Sequence, residues 1–304
     1  GKGGKGGEGK ATGPQQGGGG GRPTHTAFVD PYTGNVAELY SYRETFFYQV
    51  FALHRWLLGS NDGIGKYIVG VATFMFMFIT ITGVILWWPK TRRILMQRLK
   101  IKSDAGWKRL NHDLHIVLGF YASIFLFIFS FTAMSWSFKW FNTGLYKLTN
   151  SSPESPEPPA SVYQEGKESI SYETAYQMTK TKFADAQFFQ FRKPNDSTGI
   201  FSLTVLPAGR PENKADTYYL DQYTGAVAGT LKYEEKNLGQ RMRSYVKPVH
   251  TGSVFGMPSK IISFIVCLLG VTFPVTGLIM WLNRLKKEKK RTKVTDRAPE
   301  VVAP

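Results

Sequence analysis

The chain has 304 residues, 42% of them hydrophobic and 20% charged, with a formal net charge of +16 and a mean hydropathy of −0.20. These averages would suit a soluble protein, but the apolar residues are clumped into three runs without Asp, Glu, Lys, Arg or His, which excludes an ordinary soluble globular domain. The one cysteine, Cys267, lies inside the third run and excludes a disulfide-stapled scaffold.

In chain order, residues 1–25 are Gly-rich and of low complexity, which predicts a flexible linker or loop insertion. Residues 26–66 carry strand- and turn-forming residues and precede the first apolar run. The three runs, 67–88, 116–138 and 261–282, contain 22, 23 and 22 residues. As helices they would each be about 33 Å long at 1.5 Å per residue, enough to cross the ~30 Å hydrocarbon core of a bilayer. The predicted fold class is therefore an α-helical membrane protein with three transmembrane helices and a small α+β extramembrane domain.

The charge distribution orients these spans. Segment 89–115 has eight Lys/Arg against Asp104 and Asp113, and segment 283–304 has eight against three acids. The long segment 139–260 is nearly balanced, with fifteen basic and twelve acidic residues. Short basic flanks are retained inside, whereas long domains cross largely regardless of charge. The reading is that 89–115 and 283–304 form a basic inner loop and tail, with 139–260 outside. The charge thus anchors a membrane protein; it does not mark a nucleic-acid surface. Trp87, Trp88, Trp136, Trp140 and Trp281 stand at span ends, as in an aromatic belt.

Within 139–260, the stretch 151–160 (SSPESPEPPA) reads as a Pro-rich linker. A helix is predicted over 171–183, capped by Ser171. Strands are predicted over 187–192, 200–206, 217–220 and 227–233, so that one helix covers a small antiparallel sheet.

The chain also repeats itself. Asp30-Pro-Tyr-Thr-Gly-Asn-Val36 recurs as Asp221-Gln-Tyr-Thr-Gly-Ala-Val227. Each copy is followed by a histidine, His54 or His250, and then by a span ending in Thr-Gly-[Val/Leu]-Ile-x-Trp, at Thr82–Trp87 and Thr276–Trp281. The simplest reading of the D-x-Y-T-G motif is a turn whose glycine supplies a positive φ. The second unit has an outgoing span, a domain and a returning span. The first lacks an outgoing span, so the repeat leads us to expect a further upstream helix with its own inner histidine and a parent of four spans in two parallel repeats.

Five histidines remain to be placed. His25 falls in the Gly-rich stretch and is incidental. His54 and His250 occupy matching repeat positions near the outer face, while His112 and His115 share one helical side near the inner face. Ionisable groups at membrane depth are costly and usually functional. Two imidazoles from different helices at one depth can hold haem iron axially. The glycines at 70, 83, 119, 270 and 277 would let a macrocycle or a neighbouring helix approach closely. Lipid-facing hydrogen bonding for the histidines and plain helix packing for the glycines stay open. No zinc-type ligand set, hydrolase elbow, P-loop or dinucleotide fingerprint is present.

At AFVDPYTGNV, FALHRWLLG, ITGVILWWPKTRR, GWKRLNHDLHIVLGFYASIFLF, YLDQYTGAV and VHTGSVFGMPSKIISF the sequence resembles the PepSY-associated transmembrane proteins, often described as iron-regulated inner-membrane proteins. The resemblance covers roughly 26–290. It implies a multi-pass protein of a bacterial inner membrane with PepSY domains facing the periplasm. On this reading 26–66 is the end of a first PepSY-like region and 139–260 is a second. Some members are ferric-siderophore reductases with two b-type haems. Carried over, His54 and His250 would ligate the iron of an outer haem b. His115 would supply one ligand to the iron of an inner haem whose other ligand lies on the expected upstream helix. His112 matches no ligand.

Two functions are therefore weighed. In one, electrons from a quinol or flavoprotein donor pass through the haems to reduce the iron of a ferric-siderophore. In the other, a non-enzymatic PepSY module binds a partner protein or peptidase, and the helices only anchor it. The matched depth of His54 and His250 favours electron transfer.

Overall fold

The computed structural model describes residues 25–295 apart from 31, 103, 105 and 195, with side chains described through 289. Residues 1–24 and 296–304 lie outside the described residues, so the linker expectation and the end of the basic tail are not addressed. The chain divides into two compact units, 1–51 with 144–244 and 52–143 with 245–304.

The first unit holds two antiparallel sheets. Strands β1 (Thr26–Val29) and β2 (Val36–Tyr40) form a hairpin, and β3 (Ala186–Arg192), β4 (Phe201–Pro207), β5 (Asp216–Leu220) and β6 (Val227–Leu231) form a meander in sequence order. The helix predicted after Ser171 spans Tyr172–Lys182; the Ser171 hydroxyl caps it by accepting from the Thr174 N–H. Alternation along β4 buries Phe201, Leu203 and Val205. They join Leu220 and Ala175 of that helix in one core, with Phe183, Phe189 and Phe191 packed at its rim.

The two D-x-Y-T-G motifs form the same turn. Asp30 N–H donates to Asn35 O at 2.9 Å, and Asp221 N–H donates to Ala226 O at 2.8 Å. The aspartate carboxylate accepts from the tyrosine N–H two residues on, at 2.8 Å in one copy and 3.0 Å in the other. It also accepts from the threonine hydroxyl, at 3.0 and 2.9 Å. Gly34 and Gly225 take the positive φ that closes the turn, +73° and +70°. Both hairpins carry a bulge just before the pairs Val29↔Val36 and Leu220↔Val227. The same residues therefore produce the same register twice.

The second unit contains three helices long and apolar enough to cross a membrane. They are α2 (Ile64–Trp87), a helix running from Trp107 to Ser137, and α9 (Met257–Thr295). The middle helix is assembled from α4 (Trp107–Asp113), a five-residue π turn (Leu114–Leu118) and α5 (Gly119–Ser137). It starts nine residues ahead of the charge-free run, because Arg109 and Asp113 pair one turn apart at 2.8 Å and let the helix begin among charged residues. Helices α1 (Phe46–Trp56), α3 (Arg92–Arg98), α6 (Lys139–Leu148) and α8 (Leu238–Thr251) were not anticipated. All are short, at 7 to 14 residues. The helix in the first unit, Tyr172–Lys182, is α7 in chain order.

Gly70 of α2 lies against α5. A Cβ there would stand 3.0 Å from the Ser137 Cβ and 3.1 Å from the Phe138 ring, so this glycine serves helix packing. Trp87 departs from the belt expectation: it is 7% exposed and stacks on Phe120 with centroids 3.7 Å apart.

Candidate functional site

Four of the five histidines fall into two groups at opposite ends of the α5 helix. His54, on the last turn of α1, and His250, on the last turn of α8, come together with ring centroids 6.4 Å apart and ring planes inclined at 47°. The two helices bring repeat-equivalent residues from positions 196 apart in sequence to one place. His115 lies in the π turn, seventeen residues before Thr132 and thus about 25 Å along the helix from it. Single π turns inside α-helices occur frequently at functional positions.

His250 is half-buried and well held. Its Nδ1 lies 3.0 Å from the Phe129 carbonyl oxygen and 3.0 Å from Thr132 Oγ1. Thr132 spends its own hydroxyl hydrogen on the Ile128 carbonyl at 2.8 Å. Both neighbours therefore face the imidazole as acceptors, Nδ1 carries the hydrogen, and the lone pair sits on Nε2. Burial pushes the His250 pKa below its usual value; the Phe129 carbonyl opposes this, and the neighbouring Arg55 guanidinium adds to it. A neutral imidazole with a free Nε2 lone pair is the form that binds metals.

Around the pair stand aromatic rings and one cation. Trp136 meets the His250 ring edge to face at 5.1 Å, and Phe129 meets it at 6.2 Å. The Arg55 guanidinium lies over the rings of Trp56 at 5.4 Å and Trp136 at 5.9 Å.

His115 repeats the logic at the other end. Its Nδ1 is 2.7 Å from Thr276 Oγ1, whose hydrogen goes to the Thr272 carbonyl at 3.0 Å. Nδ1–H donates and Nε2 is left with the lone pair. The ring rests on Gly277, where a Cβ would lie 3.4 Å from its Cε1, and edge-on to Phe273 at 5.6 Å. His112, by contrast, has a side chain 44% exposed and lies 3.3 Å from the carboxylate of Asp113. His25 is exposed beside β1.

Does the pair fit a haem? Two imidazoles that each hold one metal ion at about 2.0–2.1 Å through a ring nitrogen have centroids about 6 Å apart, close to the 6.4 Å here. Among the described residues no group of three or more His, Cys, Asp or Glu side chains could hold a metal ion. The pair therefore suits a metal that brings its other ligands with it, as iron in a porphyrin does, better than a bare ion needing four protein ligands. His115 presents a single imidazole with its Nδ1 likewise committed, to Thr276.

The residues that orient these imidazoles were not singled out from sequence. Thr276 belongs to the repeated Thr-Gly motif, which therefore held a usable signal. Thr132 and the Phe129 carbonyl had none, because Ser and Thr are common in membrane helices and a carbonyl has no side chain to read.

A family model described as the PepSY-associated TM region matches residues 5–284. No curated protein matches the chain.

Proposed function

The chain belongs to the PepSY-associated TM family, and from that premise we propose that it is a b-type haem protein moving electrons across the membrane to reduce the iron of a ferric-siderophore. The observation that supports this most is the His54–His250 pair, 6.4 Å apart, with the His250 Nδ1–H committed to the Phe129 carbonyl. The orientation is that given by the basic loop and tail: this pair lies toward the periplasm of a bacterial inner membrane and His115 toward the cytoplasm.

When bound, the haem supplies reversible one-electron chemistry at its iron. The chain's own residues set the conditions for it. His54 and His250 would hold the iron from two helices, and the contacts of Phe129 and Thr132 with His250 Nδ1 would leave its Nε2 available to the metal. Burial disfavours the charged form of that imidazole. Trp136 and Phe129 pack on its flanks and limit water at the ligand. His115, held by Thr276, would supply one ligand to an inner haem receiving electrons from a quinol or flavoprotein donor. Ferrous iron binds siderophore chelators far less tightly than ferric iron, so one electron delivered to the substrate releases the metal.

The test is a dithionite-reduced minus air-oxidised spectrum of the detergent-purified full-length polypeptide, beside His54→Ala and His250→Ala. The expected result is a low-spin b-type signal that falls by about half in each variant. A folded protein with no haem signal would refute the reading and leave a non-enzymatic PepSY module binding a protein partner or peptidase.

A further inference from the structure

The basic loop between the first two spans is tied to both of them. Thr91 caps α3 by accepting from the Ile94 N–H at 3.4 Å. At the other end of α3 the Arg98 guanidinium donates to the carbonyl of Trp87, the last residue of α2, where a helix leaves its carbonyls without partners. Beyond α3 the Lys102 N–H donates at 3.3 Å to the buried Asp113 carboxylate, which also pairs with Arg109 at 2.8 Å. The loop is therefore held against the ends of α2 and of the middle helix, at the level where both leave the lipid.

Between these ties lies a cavity of about 600 Å³, whose lining includes Arg93, Lys100, Lys102, Asp104, Met96 and Ile101. Three cations there face one carboxylate. Among the described residues none of these four charges enters an ion pair, whereas Arg98 and Arg109 are spent on Trp87 and Asp113. Met96 and Ile101 are 56% and 39% exposed, so the same cavity also has an apolar part. We infer that it binds the headgroup of an anionic phospholipid from the leaflet that meets this loop. The phosphate is taken by Arg93, Lys100 and Lys102, and the glycerol and first acyl carbons lie on Met96 and Ile101.

Retention of a basic loop on one side of the membrane does not account for this arrangement. That rule counts Lys and Arg anywhere in 89–115, whereas the cavity needs them at 93, 100 and 102. A soluble anion would use the cations and leave Met96 and Ile101 in water; a phospholipid at the surface covers both. Basic pockets beside membrane helices hold anionic headgroups in this way. The inference uses only the contacts of the loop, so it stands or falls separately from the haem reading.

The test titrates the detergent-purified full-length polypeptide with phosphatidylglycerol or phosphatidylcholine of identical acyl chains and counts bound lipid by native mass spectrometry. Each Lys or Arg near an anionic lipid favours it about fivefold, so with Asp104 opposing, the parent should prefer phosphatidylglycerol by about tenfold or more. Arg93→Gln/Lys100→Gln/Lys102→Gln should reduce that preference to about twofold. Lys90→Gln/Arg92→Gln/Lys108→Gln removes as many cations from the same loop outside the cavity and should stay within about twofold of the parent. No preference in the parent, or equal losses in the two triple variants, overturns the proposal. Thermal melts in phosphatidylcholine check that both variants fold. Asp104→Asn serves independently of them: it removes the opposing carboxylate and should strengthen the preference, and an unchanged or weaker one overturns the proposal. Displacement of bound phosphatidylglycerol by millimolar inorganic phosphate would make this a soluble-anion site and overturn the lipid assignment; retention supports it.

Discussion

Replacing Thr276 by valine preserves shape and removes one thing, the oxygen that accepts from His115 Nδ1 at 2.7 Å. The Thr276 hydroxyl also donates to the Thr272 carbonyl, but that carbonyl retains its helical role, so the loss falls on the imidazole. A half-buried N–H left without an acceptor costs about 1–3 kcal/mol. A neutral imidazole can escape part of this by moving its hydrogen to Nε2, the nitrogen that would coordinate iron in the proposed function. Removing such an orienting partner typically weakens metal binding 10–100-fold, or about 1.4–2.7 kcal/mol at 1.36 kcal/mol per tenfold. Thr132→Val provides the contrast: the Phe129 carbonyl still accepts from His250 Nδ1 at 3.0 Å, so less than a threefold change is expected there. The assay is haem titration of the purified full-length polypeptide, with nitrogen-15 spectra reporting the tautomer of each histidine. Thr276→Ser should behave as the parent. Equal effects of Thr276→Val and Thr132→Val, or an unchanged His115 tautomer in Thr276→Val, would refute the reasoning.

Other outcomes follow from the same contacts. His250, with its pKa lowered chiefly by burial, should titrate below 6.5, the usual value for histidine; the stability it contributes as a neutral group is therefore lost as pH falls from 6.5 toward that lower value. Arg55→Gln removes a positive neighbour and should move the His250 midpoint upward in histidine NMR titrations, and a downward move contradicts the assignment. Asp221 accepts from the N–H groups of Tyr223, Thr224 and Val162, so Asp221→Ala should destabilise the sheet unit by about 1–3 kcal/mol in chemical denaturation. Burial raises the Asp221 pKa, but the Thr224, Tyr223 and Val162 hydrogen bonds lower it more. Its stabilising contribution is thus present above about 3.9 and is lost as pH falls through the lower folded value, a dependence that Asp221→Ala should abolish in thermal melts. Gly70→Ala places a Cβ 3.0 Å from the Ser137 Cβ and should cost about 1–3 kcal/mol by overpacking, read as a lowered Tm, whereas Gly106→Ala, with open space around it, should melt like the parent.

Much of this protein can be read in one dimension. The charge-free runs determine three spans, because a helix in lipid must be apolar over its whole length and a single lysine inside one would show. The turn at Asp30 and Asp221 is largely local: the hydrogen bonds that its two copies share join residues two to five apart, and only the second copy adds a distant one, from Val162 to Asp221. Repetition supplied the histidines, since His54 and His250 hold matching places in the two copies. Only the tertiary structure decided what those histidines can do. The contacts that free one nitrogen of each ring join His115 to Thr276, 161 residues away, and His250 to Phe129, 121 residues away. One of those acceptors is a backbone carbonyl, which has no sequence signature. The π turn under His115 and the burial of Trp87 against Phe120 likewise depend on neighbours brought in by folding. A pattern of residue types reports how a segment meets water or lipid; the direction of a lone pair depends on which distant atom packs against it.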